Sequence, residues 1–135
     1  MTVRLANAQR GTPVPTARMA RVARRTVRRL RIRGRGAIAI TFIDDRRMRR
    51  MNRRFCRHDR VTDVITFRYD GEPTTGEIFV APSQARRYAR EHGVAYLDEL
   101  SRYVVHGLLH WTGKDDRTAA QQRTMRRMED ALLAA

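Results

Sequence analysis

The sequence predicts an α+β domain, close to α/β in style, in which one small mixed β-sheet of about four strands is covered by about five helices. Three observations lead there. Apolar residues recur at helical spacing in several segments, and runs rich in β-branched residues interrupt them. These elements follow in the order strand, helix, strand, helix, two strands, three helices. With 135 residues and 41% hydrophobic content, the chain has room and means for one core, so residues 1–135 are expected to form a single domain. No internal repeat or low-complexity linker divides it.

Taken in order, residues 3–8 are a short first strand. The stretch Gly11 to Pro15 breaks the chain and leads into a helix with Met19, Val22, Ala23, Thr26, Val27 and Leu30 on one face. The opposite face carries Arg18, Arg21, Arg24, Arg25, Arg28 and Arg29. A basic amphipathic helix can lie on a membrane, but this apolar side lacks Trp and Phe and suits core packing better. Gly34 and Gly36 close the unit, and the unbroken apolar run Ala37 to Ile43 is expected to be a buried strand. Asp44 and Asp45 then supply a helix cap and a negative first turn, with Met48, Met51 and Phe55 predicted on the buried face of the helix that follows. Asp63 to Phe67 is a second clear strand. Gly71 to Gly76 is a turn-rich connection, and Glu77 to Ala81 forms a further strand. Pro82 suits the first turn of a helix running to about Glu91 and stopping near Gly93. A long helix from about Tyr96 to Trp111 precedes Gly113. The last helix starts near Thr118, with Met125, Met128 and Leu132 on one face.

Charge dominates the composition. Lys and Arg total 29 against 14 Asp and Glu, a net charge of +15, and Lys114 is the one lysine. A bias towards arginine codons is one explanation for the choice of Arg over Lys, though not for the twofold excess of positive charge. Arginine forks grip phosphates, so a polyanionic partner, RNA first, is expected. No apolar stretch reaches the roughly 18 residues of a membrane span, and the N-terminal segment lacks the apolar run of a secretory signal. The single cysteine, Cys56, excludes an internal disulfide framework. A cytoplasmic location is expected.

The segment His106 to Asp116 carries the chemistry. Histidines at i and i+4 lie on one helix face, where both imidazoles can reach one ion at roughly 2.0–2.1 Å. Gly113, three residues after the second histidine, can adopt a left-handed conformation that ends the helix and turns the chain back. Asp116 then supplies a third ligand, and three protein ligands leave a fourth position for water. On a helical projection Leu97, Leu100, Val104, Leu108 and Trp111 fall within about 80° of one another as the buried stripe, with His106 and His110 on the opposite side. These residues therefore predict a metal site, zinc first, at the end of a helix, held by His106, His110 and Asp116. The spacing matches that of metzincin-type zinc proteases, which need a glutamate after the first histidine as general base; Gly107 stands there and argues against a peptidase. Asp115 is expected to cap the last helix or to orient a ligand histidine. His92 suits a helix C-terminus, and His58 lies in the arginine-rich loop.

The same residues resemble the YbeY family of bacterial endoribonucleases. The family's element His-Gly-x-Leu-His-Leu-x-Gly-Tyr-Asp-His is matched by His106 through Asp116. Met51-Asn52-Arg53-Arg54-Phe55, then Asp59, then Thr62 to Phe67, are similar to its Leu-Asn-x-x-Tyr-Arg-x-x-Asp-x-Pro-Thr-Asp-Val-Leu-Ser-Phe. Gly76 to Val80 resembles its Gly-Asp-Ile strand, and Asn7-Ala8-Gln9 and Asp44-Asp45 also fit. The resemblance spans nearly the whole chain. It implies a zinc-dependent endoribonuclease specific for single-stranded RNA, acting in 16S rRNA 3′ end maturation and ribosome quality control, with rRNA and the ribosome or its proteins as partners. Arg53, Arg54 and Arg57 would bind RNA, and a metal-bound water would act with Arg57 in catalysis. That water could attack phosphorus as hydroxide or deprotonate the 2′-OH. There are departures. The third ligand is usually His and is here Asp116, which shifts preference towards harder ions, so another divalent metal can replace zinc. Lys114 stands for Tyr, Val61 for Pro, and Cys56 for a functional Arg, whose place Arg57 would take. The alternative is a metal-stabilised RNA- or ribosome-binding factor with little or no catalysis.

Overall fold

The computed structural model describes residues 1–55 and 63–134. Its elements are β1 (Thr2–Asn7), α1 (Thr16–Arg29), β2 (Ala37–Phe42), α2 (Asp45–Phe55), β3 (Val64–Tyr69), β4 (Thr75–Val80), α3 (Pro82–His92), α4 (Tyr96–Trp111) and α5 (Ala119–Leu133). The strands form one sheet in the order β1-β2-β4-β3, with β1, β2 and β4 parallel and β3 antiparallel to β4. This is the small mixed sheet the sequence predicts. β4 begins two residues before the expected start, because the hairpin ladder continues through Tyr69↔Thr75 and Arg68↔Gly76. Cross-strand pairing, which a hydrophobicity pattern does not register, extends it.

The central run of β2 divides its side chains between two cores. Ile38, Ile40 and Phe42 are fully buried with Met19, Ile78, Val80 and the apolar residues of α4. Ile43 points into a smaller cluster with Met48 of α2, Ile65, Phe79 and Ala81. One sheet face is therefore covered by α1 and α4, against which α3 and α5 pack, and the other by α2. The apolar side of α1 lies inside, with Met19, Val22, Ala23 and Val27 all in the main core. That settles the amphipathic pattern as core packing. Among the described residues no helix is long and apolar enough to cross a membrane.

Local chemistry fixes the helix ends. The Asp44 carboxylate accepts the Arg47 N–H at 2.8 Å, capping α2 as expected. Asp45 binds the Arg87 guanidinium at 2.7 Å and accepts from Ser83 Oγ, tying α2 to α3. Phe55 departs from expectation. It is 54% exposed, because the buried side of α2 is Met48 and Asn52, one turn apart, and Phe55 meets the Phe67 ring on the edge strand β3 edge-on, at 5.3 Å.

α4 is the spine of the molecule, packed against α1, α3, α5, β3 and β4. It therefore buries more than the single stripe read from the sequence. Tyr103, Val105, Gly107 and Leu109 are buried beside Leu100, Val104, Leu108 and Trp111, whereas Leu97 is only half-buried. A helix enclosed on several sides has no one-stripe signature. Each fully buried leucine there contributes about 1.5–3 kcal/mol.

Gly107 is the point of closest approach to the sheet. A Cβ at this position would stand 2.6 Å from Ile78 Cγ2 and 3.1 Å from Val64 Cγ1. Both methyls sit on β-branched side chains with little freedom to move. Gly107→Ala is accordingly expected to destabilise the fold by about 1–2 kcal/mol, overpacking outweighing the roughly 1 kcal/mol that alanine gains in a helix. A lower urea midpoint would show it, and an unchanged or higher midpoint would contradict it.

Candidate metal centre

The C-terminal end of α4 sets the geometry. Gly113, at φ +100°, donates its N–H to the His110 carbonyl at 2.9 Å, and the Lys114 N–H reaches the Leu109 carbonyl at 3.2 Å. This pair of bonds is a Schellman motif, and it stops the helix where the sequence predicts. Three residues on, the chain enters α5 through a capping box. Thr118 accepts the Gln121 N–H at 3.1 Å, and the Gln121 side chain accepts the Thr118 N–H at the same distance. The Gln122 side chain donates to the Asp116 carbonyl at 3.1 Å. Asp116 is thus held between two fixed helix ends.

Its carboxylate meets both histidines. Asp116 Oδ2 lies 3.3 Å from His106 Nε2 and 3.4 Å from His110 Nε2, and the two Nε2 atoms are 2.9 Å apart. The donors of a tetrahedral ion with ligand distances of 2.0–2.1 Å stand about 3.3–3.4 Å from one another. Both carboxylate–imidazole distances match that edge. The two imidazole nitrogens stand closer, at 2.9 Å. Two neutral imidazoles and a carboxylate form a donor set that zinc accepts, and three donors leave one tetrahedral position open. The geometry fits a divalent ion.

A fourth residue, not read from the sequence, holds the first histidine. Glu129 of α5 is buried, and its Oε2 accepts from His106 Nδ1 at 2.6 Å. With Nδ1 carrying that proton, Nε2 presents its lone pair to the cluster. The other Glu129 oxygen accepts from Arg102 at 2.9 Å, and Arg102 also reaches Asp130 at 2.7 Å. Burial disfavours the charged form of His106. The hydrogen bond and charge of Glu129, with the charges of Asp63 and Asp116, outweigh it and raise His106 above its ordinary value. Burial likewise pushes the Glu129 carboxyl up, but His106 and Arg102 prevail and hold it below the usual carboxylate range.

Around the second histidine, a cavity of about 450 Å³ is lined by Asn52, Thr66, Arg68, His110, Lys114 and other residues. Arg68 donates to Asp70 at 2.8 Å and to the Trp111 carbonyl at 3.0 Å, with its guanidinium 4.3 Å from the Trp111 ring centre. It is a preplaced cation that the motif reading missed. Arg53 and Arg54 sit exposed in the last turn of α2, Arg54 over the Phe55 ring, and neither lines this cavity. Arg57, Cys56 and His58 lie outside the described residues. Asp115 takes neither of its expected roles. It pairs with Arg117 at 3.5 Å on the surface, while Thr118 caps α5 and Glu129 orients the histidine. His92 ends α3, its ring stacked on Tyr88. Gly107 faces Ile78 and Val64, so a glutamate there would meet the sheet and not the cluster.

Fold and site together define a small α+β domain with a two-histidine, one-carboxylate cluster of metal-binding type at the end of its central helix. The chain belongs to the YbeY endoribonuclease family, whose pattern it matches over residues 4–135. The protein named endoribonuclease YbeY in Bacteroides thetaiotaomicron is 37% identical over 100 residues, 73% of each chain. Its namesake in Chlorobaculum tepidum is 38% identical over 99 residues, covering 73% of this chain and 72% of that one. A solved protein from Thermotoga maritima shares the fold, with a TM-score of 0.63 at 21% identity over 98% of this chain and 90% of its own.

Proposed function

We propose that this chain is a zinc-dependent endoribonuclease that cleaves single-stranded RNA, with His106, His110 and Asp116 as the metal ligands. Its substrate would be ribosomal RNA, at the 16S 3′ end and in ribosome quality control, with the ribosome or its proteins as partners in the cytoplasm. The observation that carries this reading is the convergence of the three donor atoms within 3.4 Å of one another in a chain of this family.

Zinc held by His106, His110 and Asp116 would supply Lewis acidity to the site. The protein does the rest. Glu129 fixes the His106 tautomer and ring plane. Arg68 and Lys114, beside His110, place positive charge where a scissile phosphate gathers negative charge. Arg57 is a further cation for the RNA backbone in this reading, with Arg53 and Arg54 gripping the strand nearby.

The test is cleavage of a labelled single-stranded RNA by protein stripped with a chelator, then reloaded with zinc or manganese. Cleavage should vanish on stripping, return with metal, and spare a duplex of the same sequence. Full activity in the stripped protein would rule out the metal mechanism. A second reading is favoured by Asp116 where the family usually has His: an RNA- or ribosome-binding factor with little catalysis. It predicts tight RNA binding and no cleavage with any divalent metal.

A further inference from the structure

A groove of about 1110 Å³ lies outside the ligand cluster, between α1, α4 and α5, and Arg18, Arg21, Arg24, Arg25, Arg28 and Arg126 line it. Asp98, Glu99 and Asp130 are its acidic residues, and Asp130 is already engaged by Arg102. Among the described residues no carboxylate forms an ion pair with Arg18, Arg21, Arg28 or Arg126, all of which are exposed. Arg18, Arg21, Arg25 and Arg28 recur every three or four residues along one side of α1. That spacing sets one guanidinium per turn, about every 5.4 Å, over roughly 15 Å of helix.

The groove leads to the metal centre. Tyr88, Glu99, Arg102 and Arg126 line both it and a smaller cavity of about 240 Å³ that contains His106, Asp116 and Glu129. The two concavities share a wall. Arg102 on that wall holds the carboxylate that holds His106. The apolar side of α1 is committed to the core, so core packing explains its apolar stripe and leaves the outward row of arginines unexplained.

We infer that this groove is a second RNA-binding site, an extended track that grips the phosphates of a single strand beyond the residues lying at the metal centre. The inference rests on the endoribonuclease reading for the identity of the strand. A row of guanidinium groups one turn apart, those of Arg18, Arg21 and Arg28 exposed, with no dominant apolar anchor, matches how proteins follow a single-stranded backbone through charge. The shared wall gives the strand a continuous path from α1 to the ligand cluster. An RNA too short to span both would use the metal centre alone.

The experiment measures binding by fluorescence anisotropy on the full chain in chelator, where no cutting occurs. The probes are labelled oligouridylates of about 4 and about 16 nucleotides, bracketing common single-strand site sizes, across a salt series. Each reversed arginine removes a phosphate contact worth about 0.7 in the salt slope, so R18E/R21E/R28E should lower the slope for the long probe by about 2 and weaken it roughly tenfold. The short probe should bind as before. A control of equal charge change on exposed residues away from the groove, R4E/R33E/R35E, should leave the long probe's slope nearly intact. Equal loss in both triples would mean diffuse attraction to net charge and overturn the site. So would no loss in either, and if zinc-loaded protein still cuts RNA then, the nuclease reading survives alone. If zinc-loaded protein cuts nothing while the groove triple selectively loses the long probe, the nuclease reading falls and the track stands. Polyglutamate of matched charge binding as tightly as the long probe would assign the groove to an acidic protein and overturn the RNA occupant.

Discussion

Asp116→Ala is expected to weaken zinc binding by more than about 100-fold, and Asp116→His to tighten it by roughly tenfold. The first expectation follows from geometry. Asp116 Oδ2 is within 3.4 Å of both imidazole nitrogens, and helix ends on either side fix its position. Alanine leaves two ligands on one helix turn, which is a weak chelate. The second follows from ligand type. Imidazole suits zinc, whereas a carboxylate shifts preference towards harder ions, so Asp116→His should also weaken manganese relative to zinc. Titration against a chromophoric chelator reads both. Unchanged affinity in Asp116→Ala would mean that the carboxylate beside the histidines is not a ligand. RNA cleavage should follow the same order when every variant is assayed at one fixed zinc concentration below saturation.

Glu129→Gln should lower zinc affinity by about 10–100-fold, the range for losing the partner that orients a ligand histidine. The substitution is nearly isosteric. The glutamine oxygen can still accept from His106 Nδ1, but the negative charge is gone and the amide N–H₂ group faces the Arg102 guanidinium. Glu129 and Arg102 have side chains 6% and 17% exposed, so the pair is shielded from water, and removing one partner leaves the other poorly satisfied. A stability loss of about 2–3 kcal/mol is therefore expected in the metal-free protein. Chelator competition and urea unfolding measure the two effects separately. A loss of stability with zinc affinity unchanged would make Glu129 a packing partner of α4 and nothing more.

The candidate ligands were legible in the sequence because their geometry is local. Two histidines one turn apart, a glycine that ends the helix and an aspartate three residues later need only the helix repeat to be placed. β2, the helix ends at Asp44 and Thr118, and the stop at Gly113 were legible for the same reason. What escaped is long-range. Glu129 is 23 residues from His106 and on another helix, so nothing in its neighbourhood marks it. Arg68 reaches the end of α4 from the edge strand. Phe55 looked buried because helical periodicity gives the side of a helix and not how far along it the neighbouring elements cover it. The multiple buried faces of α4 reflect the number of its neighbours, which is a property of topology.

The turn between α4 and α5 has a further consequence. Two of the three donors ride on a rigid, enclosed helix, but the third stands on the turn, and the residue steadying the first comes from α5. The cluster is only as durable as the docking of α5 on α4 and α1. That docking rests on Met125, Leu132, the Arg102 bridge from α4 to Glu129 and Asp130, and Arg29 of α1, which reaches the Ala131 carbonyl at 3.2 Å. Local opening of the last helix would scatter the cluster while the sheet stayed intact. A bound ion would in turn protect the amide hydrogens of α5 from exchange more than those of β2, and the lifetime of the loaded state would be set by how often the chain's final fifteen-residue helix lets go.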